Sequence, residues 1–105
     1  MNLLGHFEQK LMLVLASSDD EVTGLGLADS LEQRTGKRPS PGAVYTALDR
    51  LESRGLIRSR LGDPLPQRGG KARRHYKLTA AGRSAARDVH AAMVGLARVT
   101  LKPRP

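Results

Sequence analysis

The stretch SPGAVYTALDRLESRGLI, residues 40–57, holds the densest structural information in the chain. Ser40 is placed as an N-cap, and Pro41 follows at the first helical position, where its missing N–H would have had no partner. Val44, Ala47, Leu48 and Leu51 recur at spacings of three and four, which gathers them on one side of a helix. Tyr45, Thr46, Asp49 and Arg50 point elsewhere, and Gly55 ends the element. One side of this helix therefore requires an apolar partner, and the other offers polar and aromatic groups to whatever lies outside.

Toward the N-terminus, the apolar partner is supplied by two further helical patterns. Thr23 is a candidate N-cap for a helix whose inward positions are Leu27, Ala28 and Leu31, and Gly36 provides a left-handed stop before the short connection Lys37, Arg38 and Pro39. Residues 17–21 read as a polar turn. Before them, from Leu3 to Ala16, Leu4, Phe7, Leu11, Val14 and Leu15 fall at helical spacing, and Met12 and Leu13 add a second apolar flank. That flank is either buried in the same core or meets a second subunit. The opening MNLLGHFEQKLMLVLASS has no early Lys or Arg, and Glu8, Gln9 and Lys10 interrupt its apolar run, so it reads as a helix and not as a secretory leader. No segment approaches the roughly 18 apolar residues of a membrane span.

Toward the C-terminus, LIRSRL (residues 56–61) and HYKL (residues 75–78) show the partial alternation of two antiparallel strands. Between them lies GDPLPQRGGKARR, residues 62–74, a long loop rich in Gly, Pro and cations. Thr79 is a candidate N-cap for a last helix running to about Leu101, before Lys102 and Pro103. Its apolar and small positions, Gly82, Ala85, Val89, Ala92, Leu96 and Val99, alternate spacings of three and four in a narrow seam, with Met93 beside it. Such a seam either folds back on its own core or pairs with a partner helix. Because the preceding residues already account for one core, pairing is the expectation, with Leu4, Met12, Ala85, Val89, Ala92, Met93, Leu96 and Val99 as the dimer interface.

Composition narrows the partners. A chain of 105 residues allows one compact core, and with Phe7, Tyr45 and Tyr76 as its only aromatic residues that core must be built from Leu, Val and Ala. Eighteen Lys and Arg against ten Asp and Glu leave a net charge of +8, which favours an acidic partner, whether nucleic acid or anionic membrane, without choosing between them. The absence of Cys removes disulfides and thiolate metal sites and suits a cytoplasmic location. His6, His75 and His90 have no metal-ligand spacing, and no Ser or His has an identifiable catalytic partner, so no metal, no cofactor and no enzyme activity are expected. The stretch GGKA, residues 69–72, fails as a phosphate-binding loop, because Leu65 stands where the first Gly is required and Ala72 where a Ser or Thr would hold magnesium.

Three helices, a two-stranded hairpin and a final helix make a mainly α fold with a small β-hairpin: a winged helix-turn-helix over residues 1–78, with the third helix placed to enter a DNA major groove, followed by a dimerisation helix and tail over residues 79–105. On FEQKLMLVLA (residues 7–16), TGLGLADSLEQRTG (residues 23–36), SPGAVYTALDRLESRGLI and RRHYKLTAAGR (residues 73–83), the chain resembles the PadR-like transcriptional regulators of prokaryotes. The third segment is the most specific. In that family an aromatic residue often precedes the glycine found here at Gly24, where this chain has Thr23, and the C-terminal part here is of the short kind with one helix. The resemblance implies a homodimer, a repressor-like role at promoter DNA and, in many members, release by a small-molecule effector.

Binding to double-stranded DNA would divide between positioning and reading. Lys37, Arg38, Ser40, Arg68, Lys71, Arg73 and Arg74 are candidates for phosphate contacts, together with the free N–H groups opening the third helix. Tyr45, Thr46 and Arg50 are candidates for reading base edges, Arg by bidentate bonds to guanine and Thr through a thymine methyl group. Each has a plainer alternative: Tyr45 as a cover for the helix edge, Arg50 as a partner of Asp49 or Glu52. The rival to DNA binding is a winged-helix adaptor whose last helix recruits a protein, against which the net charge and the basic loop both argue.

Overall fold

The computed structural model describes residues 4–63 and 72–104. Four helices, α1 (His6–Ala16), α2 (Gly24–Thr35), α3 (Pro41–Ser53) and α4 (Ala80–Ala97), surround a sheet of β1 (Val22–Thr23), β2 (Ile57–Leu61) and β3 (Arg74–Leu78). The sheet is antiparallel in the order β1-β3-β2, with Val22 opposite Tyr76 and Leu61 opposite Arg74. β1 is too short to show alternation in the sequence, and the segment holding it reads there only as a turn and a helix cap.

The helix boundaries follow from their caps. Thr23 Oγ1 accepts from Gly26 N at 3.0 Å, Ser40 Oγ from Ala43 N at 3.1 Å and Thr79 Oγ1 from Gly82 N at 3.0 Å, each satisfying an N–H that the first turn leaves open. Gly36 ends α2 in the left-handed conformation at φ 80°, and Gly55 turns the chain after α3 at φ 74°. α1 begins at His6, three residues later than its apolar pattern suggests. α4 stops at Ala97 and not near Leu101: Val99 and Thr100 are β-branched, and Pro103 disfavours helix at Lys102.

The core gathers Leu11, Met12, Leu15, Leu27, Leu31, Val44, Leu48, Leu51, Ile57, Tyr76 and Leu78. α1 lies at its centre, packed against α2, α3, β3 and α4. This overturns one expectation for the dimer interface. Met12 is 0% exposed, because the second flank of α1 is covered within the same chain.

α4 divides into two parts. Its first turns dock on the core through buried Gly82 and Ala86, with Ala85 packed alongside. At Gly82 the approach is so close that a Cβ would collide with the carbonyl oxygen of Leu56. The same carbonyl accepts from Thr79 N at 3.1 Å, and Thr79 Oγ1 donates to the Gly55 carbonyl at 2.7 Å, so the start of α4 is pinned to the turn between α3 and β2. A domain boundary after Leu78 therefore runs through a single core. Farther along, Leu96 is 67% exposed and Ala92, Val94, Val99 and Leu101 are exposed with it. The chain extends 60 Å along its longest axis and 30 Å across.

Candidate nucleic-acid interface

α3 presents its two sides as its sequence divides them. Val44, Ala47, Leu48 and Leu51 are buried, while Tyr45, Thr46, Asp49 and Arg50 are exposed. Ser40 caps the N-terminus of α3 and remains exposed, leaving a positive helix end open to an anion. Lys37 lies exposed just before it.

The two plainer alternatives for Tyr45 and Arg50 resolve differently. Tyr45 covers the helix edge and is also accessible: its ring rests on buried Gly24, where a Cβ would lie 2.8 Å from the phenolic oxygen, yet the residue is 47% exposed. Glycine at position 24 is thus what lets the aromatic ring of α3 lie against the start of α2. Arg50 forms no salt bridge among the described residues, and the carboxylate of Glu52 is engaged elsewhere. With Thr46 and His6, Arg50 borders a groove between α3 and the start of α1.

The basic candidates separate into two groups. Arg38 is turned back onto α2, with Asp29 Oδ1 at 2.6 Å and Glu32 Oε1 at 3.0 Å. The hydrogen bond to Asp29, reinforced by Glu32, raises its pKa further. A phosphate contact by Arg38 would require it to leave two carboxylates, so it is better described as a brace between α2 and the turn leading to α3. Arg74 also has a structural tie, donating to Ser59 Oγ at 3.2 Å. Ser59 in turn gives its N–H and its hydroxyl to Glu52 Oε2 at 3.1 and 2.8 Å. This Glu52–Ser59–Arg74 relay fixes the angle between the end of α3 and the hairpin. Arg73 is exposed and, with Arg74, Tyr45, Leu25 and Leu61, lines a cleft of about 470 Å³ between hairpin and α3. Arg68 and Lys71 lie outside the described residues.

Two further ties were not foreseen. Arg60 in β2 grips Glu21, through Nε at 2.9 and 2.8 Å to the two carboxylate oxygens and through Nη2 at 2.6 Å, and its hydrogen bond holds the Glu21 carboxyl below the usual range. Glu8 is 7% exposed and meets Arg54 at 3.3 Å, linking the start of α1 to the end of α3. Glu8 stands three, four and seven residues before Leu11, Met12 and Leu15, so helical spacing already places it on the buried side; the pairing with Arg54, 46 residues away, has no such signal.

A model of the transcriptional regulator PadR-like family matches residues 12–88. The chain belongs to that family. It is 40% identical over 94 residues to the transcriptional regulator Rv3488 of Mycobacterium tuberculosis, a match spanning 88% of this chain and 81% of that protein. Among solved structures it resembles a PadR family transcriptional regulator from Eggerthella lenta, with 31% identity, a TM-score of 0.66 and coverage of 83% of this chain and 73% of that one. It also shares the fold of Bacillus subtilis PadR, solved in complex with operator DNA, at 17% identity and a TM-score of 0.68, over 98% of this chain and 53% of that one. The arrangement of α1 to α4 around the hairpin is the PadR winged helix. No helix among the described residues is long and apolar enough to cross a membrane, and no group of three or more His, Cys, Asp or Glu among them could hold a metal ion.

Proposed function

We propose that this PadR-like regulator is a homodimeric repressor that grips a roughly palindromic operator through α3 and the basic hairpin. The observation that carries the proposal is the outer face of α3. It stays uncovered after folding, bears Tyr45, Thr46 and Arg50, and borders the cleft containing Arg73. Thr46 and Arg50 read base edges, Ser40 and Lys37 position the helix on the phosphates, and Arg73 with the loop cations Arg68 and Lys71 holds the flanking backbone. The operator-bound B. subtilis PadR, which shares the fold, supports this use of the winged helix.

Dimerisation rests on the exposed apolar end of α4 and the residues just past it. Leu96 and Val99 are 67% and 59% exposed, with Ala92 beside them and Val89 and Met93 half-buried; packing them against the same helix of a second copy removes that surface from water. Leu4 and Ala85 pack on the chain's own core and contribute at the margin. Two copies place two α3 helices on half-sites about one helical turn apart, and a dimer seated on a promoter represses by occlusion. Such a protein works in the cytoplasm, where the chromosome is.

The test is fluorescence anisotropy on DNA from upstream of the protein's own gene and on a shuffled duplex, at several salt concentrations. The expected result is a preference of about a thousandfold or more for the native DNA. If the dimer neutralises roughly six to ten phosphates, the affinity also falls steeply with salt. Equal, weak binding to both duplexes would favour the adaptor reading, in which α4 recruits a protein and the winged helix does not read DNA.

A further inference from the structure

The groove between α3 and the start of α1, about 450 Å³ in volume, brings together two exposed basic side chains, Arg50 from α3 and His6 from α1. Thr46 stands one turn before Arg50 in the same lining, so His6 shares a groove with both side chains assigned above to base reading. At Gly42, in the first turn of α3, an added Cβ would meet nothing within 4 Å, and the groove is open there. The one carboxylate in the lining is already engaged. Glu8 is 7% exposed, its Oε2 lies 3.3 Å from Arg54, and its Oε1 would lie 3.0 Å from a Cβ at Gly5, so the group is folded in against the start of α1. Neither Arg50 nor His6 forms a salt bridge among the described residues. No residue of α2, α4 or the sheet lines the groove, so Glu8 and Arg50 are the charged groups around the imidazole. An imidazolium across from a guanidinium is a like-charge arrangement that turns favourable when an anion enters between them.

We propose that His6, as imidazolium, holds a backbone phosphate beside the base pairs that Thr46 and Arg50 read, and so makes operator affinity depend on pH. The inference rests on the operator-binding role of α3 proposed above and adds to it a residue and a condition. A phosphate is the partner that the placement favours: α3 enters the centre of the major groove, whereas His6 stands to one side of it on a different helix, where the sugar–phosphate strand bounds the groove. Histidine is the side chain whose charge ordinarily changes between about pH 5 and 8, whereas lysine, arginine and the phosphodiester keep theirs across that window. The charged ring donates from both nitrogens, and the neutral ring has one donor and no charge. The grip is therefore full at the acid end of the window and declines as pH rises, so the operator is held more tightly in acid and released toward alkaline pH.

The test is fluorescence anisotropy of the intact protein on the native upstream duplex and its shuffled control, at constant salt, from about pH 5.5 to about pH 8. The parent's affinity for the native duplex should fall about tenfold across that range, the scale of one charge-assisted hydrogen bond. His6→Gln should be flat at the weak, alkaline level, and His6→Lys, which stays charged, should be flat near the tight, acid level. At acid pH the salt slope of His6→Gln should be smaller than the parent's by about one per chain, as the loss of one phosphate contact requires. His75 lies on β3 and His90 on α4, outside the groove, so His75→Gln and His90→Gln should keep the parent's profile. An unchanged fall in His6→Gln, a profile flattened by His75→Gln or His90→Gln, or a His6→Lys no tighter than His6→Gln at alkaline pH would overturn the assignment. A parent that prefers the native duplex with the same affinity at every pH would overturn this inference alone, whereas no preference at any pH would remove the operator reading on which it rests. Circular dichroism at both ends of the range verifies that the variants are folded; His6 is exposed, so the fold does not depend on it.

Discussion

α3 and α4 have equally regular apolar spacing and opposite fates. In α3 the whole stripe, Val44, Ala47, Leu48 and Leu51, is buried by the chain's own α1 and α2 and by β2. In α4 only Gly82 and Ala86 are buried, and the stripe continues past the core to exposed Leu96, with Val99 exposed just beyond the helix end. Periodicity thus states that a helix face is to be covered without stating by what. The difference lies in reach: α4 is 18 residues long and outruns the core it docks on, whereas α3, at 13 residues, is matched to it.

The largest expected effect separates the two helices directly. Leu48 is 0% exposed, so Leu48→Ala leaves a cavity in close-packed surroundings and should cost about 2–5 kcal/mol in urea unfolding. Leu96→Ala, examined at a dilution where chains are single, should change stability by less than about 0.5 kcal/mol. Comparable losses at the two positions would mean that the end of α4 is covered within the chain, and the contrast between the helices would collapse.

Next in size is association. In the proposed dimer a charge at Leu96 would set an unpaired carboxylate into the apolar contact between two α4 helices, so Leu96→Glu should sediment as a monomer at concentrations where the parent, on that proposal, is a dimer. An intact dimer would move the interface away from α4.

The same comparison explains how far the sequence could be read. Caps are local chemistry, one side chain and an N–H three residues on, and Thr23, Ser40 and Thr79 were each legible as such. The outer face of α3 was legible for the same reason, since a 3.6-residue period assigns both sides of a helix at once. What could not be read depends on contacts between distant segments. β1 is two residues held by pairing with Tyr76 and His75 some fifty positions on. Arg38 and Arg74 looked equivalent to Arg73 in composition, and only the positions of Asp29, Glu32 and Ser59 distinguish them. Met12 reads from spacing as a contact with a second subunit because spacing cannot tell that the side of α1 carrying it is covered by its own chain.

A smaller effect probes the outer face of α3. Arg50 has no salt bridge among the described residues to lose, so Arg50→Ala should leave the urea midpoint nearly unchanged while weakening operator binding by about 1–3 kcal/mol and relaxing the preference at one base pair of each half-site. Arg38→Ala is the internal contrast, since that guanidinium is already committed to Asp29 and Glu32: it should weaken all duplexes alike, if at all. If Arg50→Ala also acted equally on every sequence, its role would be reduced to a phosphate contact.

The smallest effect belongs to the tie between the segment before α2 and the hairpin. Glu21 is held ionised by its hydrogen bonds from Arg60, which depress its carboxyl pKa in the folded chain relative to the unfolded one. A depressed carboxylate stabilises the fold at pH values above its unfolded pKa, and that contribution is lost as pH falls through the folded value. The pair is exposed, so screening by water and salt keeps its contribution small. By carbon NMR the Glu21 carboxyl should titrate at lower pH in the folded protein than in urea, and Glu21→Gln should flatten the acid limb of stability slightly without touching the neutral plateau of DNA selectivity. Equal midpoints in the two states would mean that the sheet pairing of β1 and β2 with β3, and not the ion pair, holds the hairpin against the start of α2, leaving α3 and the hairpin aligned by the Glu52–Ser59–Arg74 relay alone.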